Sequence, residues 1–258
     1  MSYATDRYEE AMINIMRNSG ITAKTPYLAL YLSAPNDDGT GGTEISYTGY
    51  ARKAVTFTAP AEEGTSLEMH NNADISFYEA QTSVGTVTHV CLFDALTGGN
   101  MWLYGQLETP LVVQQGVSPV FRAGSVKWSW SGRLNTYYRT AVMNAMRGTA
   151  VNAFTPYLGL LDSSKEELSG TGYARQTQTG LFSAPQQVSG MAQTSNANEI
   201  TFPQAESGWG TAAYIGIFDA LTGGNRYAEI PFDSNQTYNI VAGTVFGFHA
   251  GDLKFSID

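Results

Sequence analysis

The sequence is poor in the residues from which catalytic and metal centres are usually built. In 258 residues it has one cysteine, Cys91, and three histidines, His70, His89 and His249. One cysteine excludes an intrachain disulfide, and a structural zinc site would lack its usual thiolates. Cys91 sits in the apolar stretch VTHVCLFDA and reads as a small buried hydrophobe. Charge is scarce too. Charged residues make up 14% of the chain, and 14 Lys plus Arg stand against 23 Asp plus Glu, a formal net charge of -9. A phosphate backbone would be repelled overall, which argues against a nucleic-acid partner. No apolar run approaches the roughly 20 residues of a membrane span, so no membrane insertion is expected. The opening segment MSYATDRYEEAMINIMR carries Asp6, Arg7, Glu9 and Glu10 and has no apolar core, so it is not a signal peptide, and synthesis in a cytoplasm is expected.

What the chain has in quantity is glycine and aromatic residues: 27 Gly, 15 Tyr and 12 Phe. Aromatics suit pleated surfaces and glycine supplies positive φ, so the composition predicts short strands joined by many turns. The length fits two domains of ordinary size, roughly 100 to 150 residues each.

The octapeptide FDALTGGN occurs at 93–100 and again, letter for letter, at 218–225. Its flanks recur as well. YEEAMINIMRNSGITAKTPYL at 8–28 aligns without a gap with YRTAVMNAMRGTAVNAFTPYL at 138–158, and TGYAR at 48–52 recurs at 171–175. NNADISF at 71–77 pairs with NANEITF at 196–202, and FRAGSVKWSW at 121–130 with FHAGDLKFSI at 248–257. The order holds from end to end, so the chain is a tandem duplication with a boundary near Ser131 to Asn135. A solenoid unit has roughly 20 to 50 residues, and this repeat is far longer; each copy, 1–131 and 132–258, is therefore expected to be a domain with its own core.

Within a copy, Tyr8, Ala11, Met12, Ile15 and Met16 follow amphipathic helical spacing, and Tyr138, Val142, Ala145 and Met146 largely repeat it. After each helix come about seven strand-like runs bounded by Gly, Asn, Asp or Pro. The predicted class is mostly β: two tandem β-sandwich or jelly-roll-like domains, each preceded by a short amphipathic helix. FDALTGGN reads as a strand connection, with Asp94 bonding the following backbone and Gly-Gly-Asn supplying positive φ.

The duplication also tests the candidates for chemistry. His70 aligns with Ser195, His89 with Tyr214 and His249 with Arg122, so no histidine is shared between copies. No nucleophile elbow, zinc helix or phosphate-binding loop occurs in a suitable context. In PNDDGTGGTE, Asp37, Asp38 and Glu44 offer oxygens of the kind calcium takes, but the spacing fails the EF-hand pattern and a solvated, variable loop is the simpler reading. This loop, 36–44, is longer than its counterpart and is a candidate for a contact made by the first copy alone. Trp128 and Trp130, with Tyr137 and Tyr138, place aromatics at the domain junction, where packing is favoured over a glycan platform. Glu62, Glu63, Glu68, Glu79 and Glu108 share no pattern with the second copy, which argues against a glycosidase pair. No residue is assigned a catalytic, cofactor-binding or metal-ligating role, and the expectation is a protein that is not an enzyme.

TPYLALYLSAPNDDGTGGTEISYTGYARKAVTF, then GTVTHVCLFDALTGGN, and the closing AGDLKFSID resemble, in their order, the small phage and prophage virion proteins known as tail fibre proteins. The resemblance covers roughly residues 25–130 and 155–258. Members of that family usually carry one copy, so a duplicated chain fills two places that separate chains would otherwise take. The resemblance implies a non-enzymatic structural protein of a tailed bacteriophage particle, associated with tail, fibre or baseplate. Its implied partners are other virion proteins, further copies of itself, and a host surface glycan or receptor. Capsid decoration, a collar protein and a carbohydrate-binding adhesin are the alternatives.

Overall fold

The computed structural model describes residues 2–17, 19–131, 134–232 and 235–257. Residues 132 and 133, where the expected boundary between copies falls, lie outside the described residues. The first half contains β1 (Ser2–Ala4), α1 (Asp6–Ile15), β2 (Tyr27–Tyr31), β3 (Lys53–Ala54), β4 (Ala61–Glu63), β5 (Ser66–His70), β6 (Ile75–Ser76), β7 (Gly85–Phe93), β8 (Met101–Val113), β9 (Val120–Phe121) and β10 (Lys127–Trp130). The second contains α2 (Thr136–Ala145), β11 (Tyr157–Leu161), β12 (Gln186–Val188), β13 (Met191–Ser195), β14 (Ile200–Thr201), β15 (Gly210–Ala212), β16 (Tyr214–Phe218), β17 (Arg226–Pro231), β18 (Tyr238–Ile240), β19 (Gly247–Phe248) and β20 (Lys254–Ile257). The chain is mostly β, in two tandem domains that each carry one helix near the start, as the periodicities predict.

In the first half a sheet of order β1-β8-β7-β2-β3 accompanies the smaller sheets β10-β5-β4 and β6-β9. The second half repeats the pairings with β11-β16-β17, β12-β13-β20, β14-β19 and β15-β18. Among the described residues the counterparts of the β1 and β3 pairings are the single bridges Leu134↔Ala228 and Leu158↔Gln176. Strand β5 alternates as a half-buried strand should, with Leu67 and Met69 turned inward. Strand β2 does not, because both of its faces are covered. Leu28 and Leu30 enter the main core, while Ala29 and Tyr31 join Cys91, Phe93 and Met101 in a small cluster on the opposite face. Cys91 is fully buried there, as its apolar surroundings predict.

The two helices form the seam between the halves. Each has more apolar surface than one sheet can cover: Tyr8, Met12, Ile13 and Ile15 are buried in α1, and Tyr138, Val142, Met143 and Ala145 in α2. Accordingly α1 packs on β8 of its own half and on β13 and β20 of the other, and α2 packs on β17 of its own half and on β5 of the other. The contacts come in reciprocal pairs. The Tyr8 hydroxyl donates to the Val142 carbonyl at 2.9 Å, and the Tyr138 hydroxyl donates to the Met12 carbonyl. Arg17 Nε donates to the Phe182 carbonyl and Arg147 Nε to the Phe57 carbonyl, both at 3.1 Å. Ile21 and Val151 exchange both backbone hydrogen bonds, at 2.9 and 2.8 Å. Contacts repeated in this reciprocal way are the mark of an approximate two-fold axis through the seam. The core expected for each copy is thereby continuous with that of the other.

One pair departs from the symmetry. The fully buried Glu9 accepts from the Ala192 amide at 2.9 Å, whereas Arg139, its equivalent in α2, donates to the Trp130 carbonyl at 2.7 Å. The same helical position faces a strand donor in one half and a strand acceptor in the other, and the side chain matches each.

Candidate functional site

The most exactly repeated residues build a lock that holds a loop. After Phe93, at the end of β7, Asp94 accepts from the Asn100 amide at 2.7 Å and from the Asn100 side chain at 3.1 Å. Asp219 and Asn225 repeat the arrangement at 2.7 and 2.9 Å. Gly99 lies at φ +71°, and a Cβ there would come within 2.6 Å of Asp94 Oδ1; Gly224 has the same φ and would meet Asp219 Oδ1. Both constraints select glycine.

The GYAR block supplies the other part. Arg52 ion-pairs with Glu44 at 2.8 Å, lies 3.4 Å from the Phe93 ring centroid, and donates to the carbonyls of Gly98 at 2.7 Å and Ala95 at 3.2 Å. Arg175 does the same with Glu167 at 2.6 Å, Phe218 at 3.5 Å, Gly223 at 2.7 Å and Ala220 at 2.6 Å. The Tyr50 hydroxyl accepts from the Leu30 amide and donates to Glu44, and Tyr173 joins Leu160 to Glu167 in the same way. Burial, with the neighbouring carboxylate, pushes both phenols well above the usual tyrosine range. A planar guanidinium serves here because one side chain must stack on a ring, pair with a carboxylate and reach two carbonyls. The duplicated octapeptide is thus a strand connection, as its residues predict.

Glu44 is committed to the Arg52 lock, while Asp38 accepts from the amide and hydroxyl of Thr40 at 2.8 and 2.6 Å, which holds its carboxyl below the usual range. Asp37 receives the Tyr104 hydroxyl at 3.3 Å. Among the described residues no group of three or more His, Cys, Asp or Glu is arranged to hold a metal ion. Burial pushes the Cys91 thiol up and the His89 imidazole down. The junction aromatics pack: Trp128 lies against Tyr8, and Tyr137 and Tyr138 lie against Tyr227, with centroids 5.6, 5.4 and 5.2 Å apart. Of the five glutamates, Glu62 receives the Thr136 hydroxyl at 3.1 Å and Glu68 pairs with Lys127 at 3.2 Å.

Glu68 and Glu108 both line a cleft the sequence did not announce. It has a volume of about 710 Å³ and lies between β8 and the β9–β10 segment, walled by Leu92, Leu103, Leu107, Leu111, Phe121 and Val126. Strand β1 covers the outer side of β8 only at Leu103–Gly105. From Gln106 to Val113 no strand pairs with that side among the described residues. The second half keeps a cleft of about 480 Å³ at the corresponding place, lined by Glu229, Ile230, Lys254 and Phe255. At its other end Phe232, Tyr238, Phe246 and Phe248 pack with ring centroids 5.1 to 6.0 Å apart. The strand registers equate Tyr238 with Leu111, Phe248 with Phe121 and Pro231 with Gln106, so that the next residue, Phe232, matches Leu107. The hydrogen bonds Phe77 N to Pro119 O and Phe202 N to Phe246 O equate Phe246 with Pro119. Setting one copy against the other at these positions was the available signal.

A family model described as podophage GP4 fiber I protein gp80 matches residues 3–129 and again 133–256. The chain belongs to this family. The two matches cover nearly the whole of this fibre protein and fall on either side of residues 130–132, so the duplication read from the octapeptide is a duplication of the family's unit. No curated protein matches the chain. No helix among the described residues of the fibre protein is long and apolar enough to cross a membrane.

Proposed function

We propose that this chain is a non-enzymatic structural component of the podophage particle, associated with its tail, fibres or baseplate, and that it docks neighbouring virion proteins and meets the host surface through exposed loops. Family membership supports a structural fibre protein located on the virion. The observation that carries the finer reading is how the repeated residues are used. GYAR and FDALTGGN fix loop shape in both halves, and the paired tyrosines and arginines fix the halves to each other. Such invariance serves a body that holds its shape while neighbours bear on it. The two repeat units, 1–131 and 132–258, are the domains of this body, clasped through their helices.

Gold-labelled antibody on intact, purified particles tests the reading. Label on the tail or its appendages is expected. Label over the head would make the protein a capsid decoration, and no label with the epitope verified as accessible would remove it from the particle. Strong signal on a glycan array without particle association would favour a carbohydrate-binding adhesin instead.

A further inference from the structure

The two halves depart from each other in opposite senses at one equivalent place. In the first half the cleft beside β8 is open, because Leu107, Leu111 and Pro119 stand where the second half packs aromatic rings. In the second half the β18–β19 turn carries apolar residues outward. Val241 and Val245 are 52% and 59% exposed, and Tyr238 beside them is 39% exposed. The matching turn hydrogen bonds, Val117 N to Gln114 O and Thr244 N to Val241 O, equate Val241 with Gln114 and Val245 with Ser118. The first half thus has polar residues on its turn and an empty apolar cleft; the second has an apolar turn and a cleft partly filled with rings. Exposed apolar side chains clustered in this way mark a contact.

Charge fits the two surfaces to each other. The turn from Tyr238 to Val245 reads YNIVAGTV and has no ionisable side chain apart from the phenol. Around the cleft, the lining residues Lys127 and Arg122 pair with Glu68 at 3.2 Å and with Asp74 at 2.6 Å, and Glu108 adds a further carboxylate to the lining. In a chain of net charge -9, a turn without a carboxylate can approach a rim that carries Glu108 without repulsion between carboxylates. The second half, moreover, displays the chemistry that covers this cleft, since aromatic rings carried on β17, β18 and β19 and their flanks occupy it there. From these observations we infer that the first-half cleft receives the β18–β19 turn of a second copy of this chain, with Val241 and Val245 seated against Leu107, Leu111, Val112 and Val120. The contact joins unlike surfaces, so it does not stop at two molecules: it builds a ring or an open filament. This deepens the structural reading above and rests on it for its setting on the particle.

The sister half supplies variants that its own fold already accepts. Leu107→Phe with Leu111→Tyr gives the first cleft the residues of the second. Val241→Gln with Val245→Ser gives the second turn the residues of the first. Light scattering of the purified full-length chain over a concentration series is expected to show mass rising past that of a dimer. Each double variant alone is expected to stay monomeric, and a mixture of the two, one keeping the turn and the other the cleft, is expected to stop at a 1:1 dimer. A parent chain that remains monomeric at every concentration overturns the inference. So do variants that assemble as the parent does, or a mixture that gives no dimer. If the parent is monomeric but binds particles lacking it, and Leu107→Phe with Leu111→Tyr abolishes that binding, the cleft belongs to a different virion protein. Gold labelling reports on the particle independently, so failure of self-docking is distinguishable from failure of the structural reading.

Discussion

At the scale of single residues, the repeated octapeptide separates two reasons for a glycine. Gly98 and Gly99 both have positive φ, at +61° and +71°, but a Cβ on Gly98 would meet nothing within 4 Å, whereas one on Gly99 would strike Asp94 and Ala95. Gly98→Ala is expected to cost only the left-handed backbone penalty, about 1 to 2 kcal/mol. Gly99→Ala should cost clearly more, because the steric clash adds to it. Urea unfolding midpoints of the two variants check this order, and equal midpoints would contradict the lock. Asp94 gives a pH dependence. Burial alone would raise its pKa, but hydrogen bonds from the Asn100 amide, the Trp102 indole and the Asn100 side chain, with the charge of Lys24, outweigh burial and lower it from 3.8. A folded-state pKa below the unfolded one means that the stabilisation is fully present above the unfolded value and is lost as pH falls through the folded value. The stability gap between the parent and Asp94→Asn should therefore be widest near pH 6 and narrow steadily below about pH 4. A gap that is constant from pH 6 to pH 3 would show that the charge of Asp94 contributes nothing.

At the scale of elements, the helices are the part whose role differed most from their pattern. Heptad-like spacing of Tyr8, Met12 and Ile15 made α1 legible as an amphipathic helix, and alternation and turn residues made most strands legible. Periodicity says that a face is buried but not which surface covers it, so exchange of the helices between copies was not written in either segment alone. The cleft was hidden for a related reason. Leu107 and Leu111 look like ordinary strand leucines until the ladder equates Leu111 with Tyr238. The lock, by contrast, was half legible: the repeat marked its residues, while the partnership of GYAR with FDALTGGN needed the fold to bring positions 46 residues apart together. The seam yields its own test. Tyr8→Phe and Tyr138→Phe each remove a buried hydroxyl donor to a carbonyl of the opposite helix, and each is expected to cost about 1 to 3 kcal/mol. Chemical denaturation of the two single variants should show similar losses, since the approximate two-fold axis makes the contacts equivalent. A loss confined to one of them would mean that the symmetry does not extend to energetics.

At the scale of the whole molecule, duplication with exchanged helices turns two copies of a family unit into one body. Each helix is held by sheets from both halves, and the buried residues run through the seam without interruption. Neither half can unfold without exposing the helix surfaces of the other, so the halves should lose structure together. Differential scanning calorimetry of the full chain measures this directly. One transition is predicted, with a calorimetric enthalpy equal to the van't Hoff enthalpy for the entire chain. Two resolved transitions, each with the enthalpy of about half the chain, would contradict the account and return the protein to a pair of independent domains on a tether.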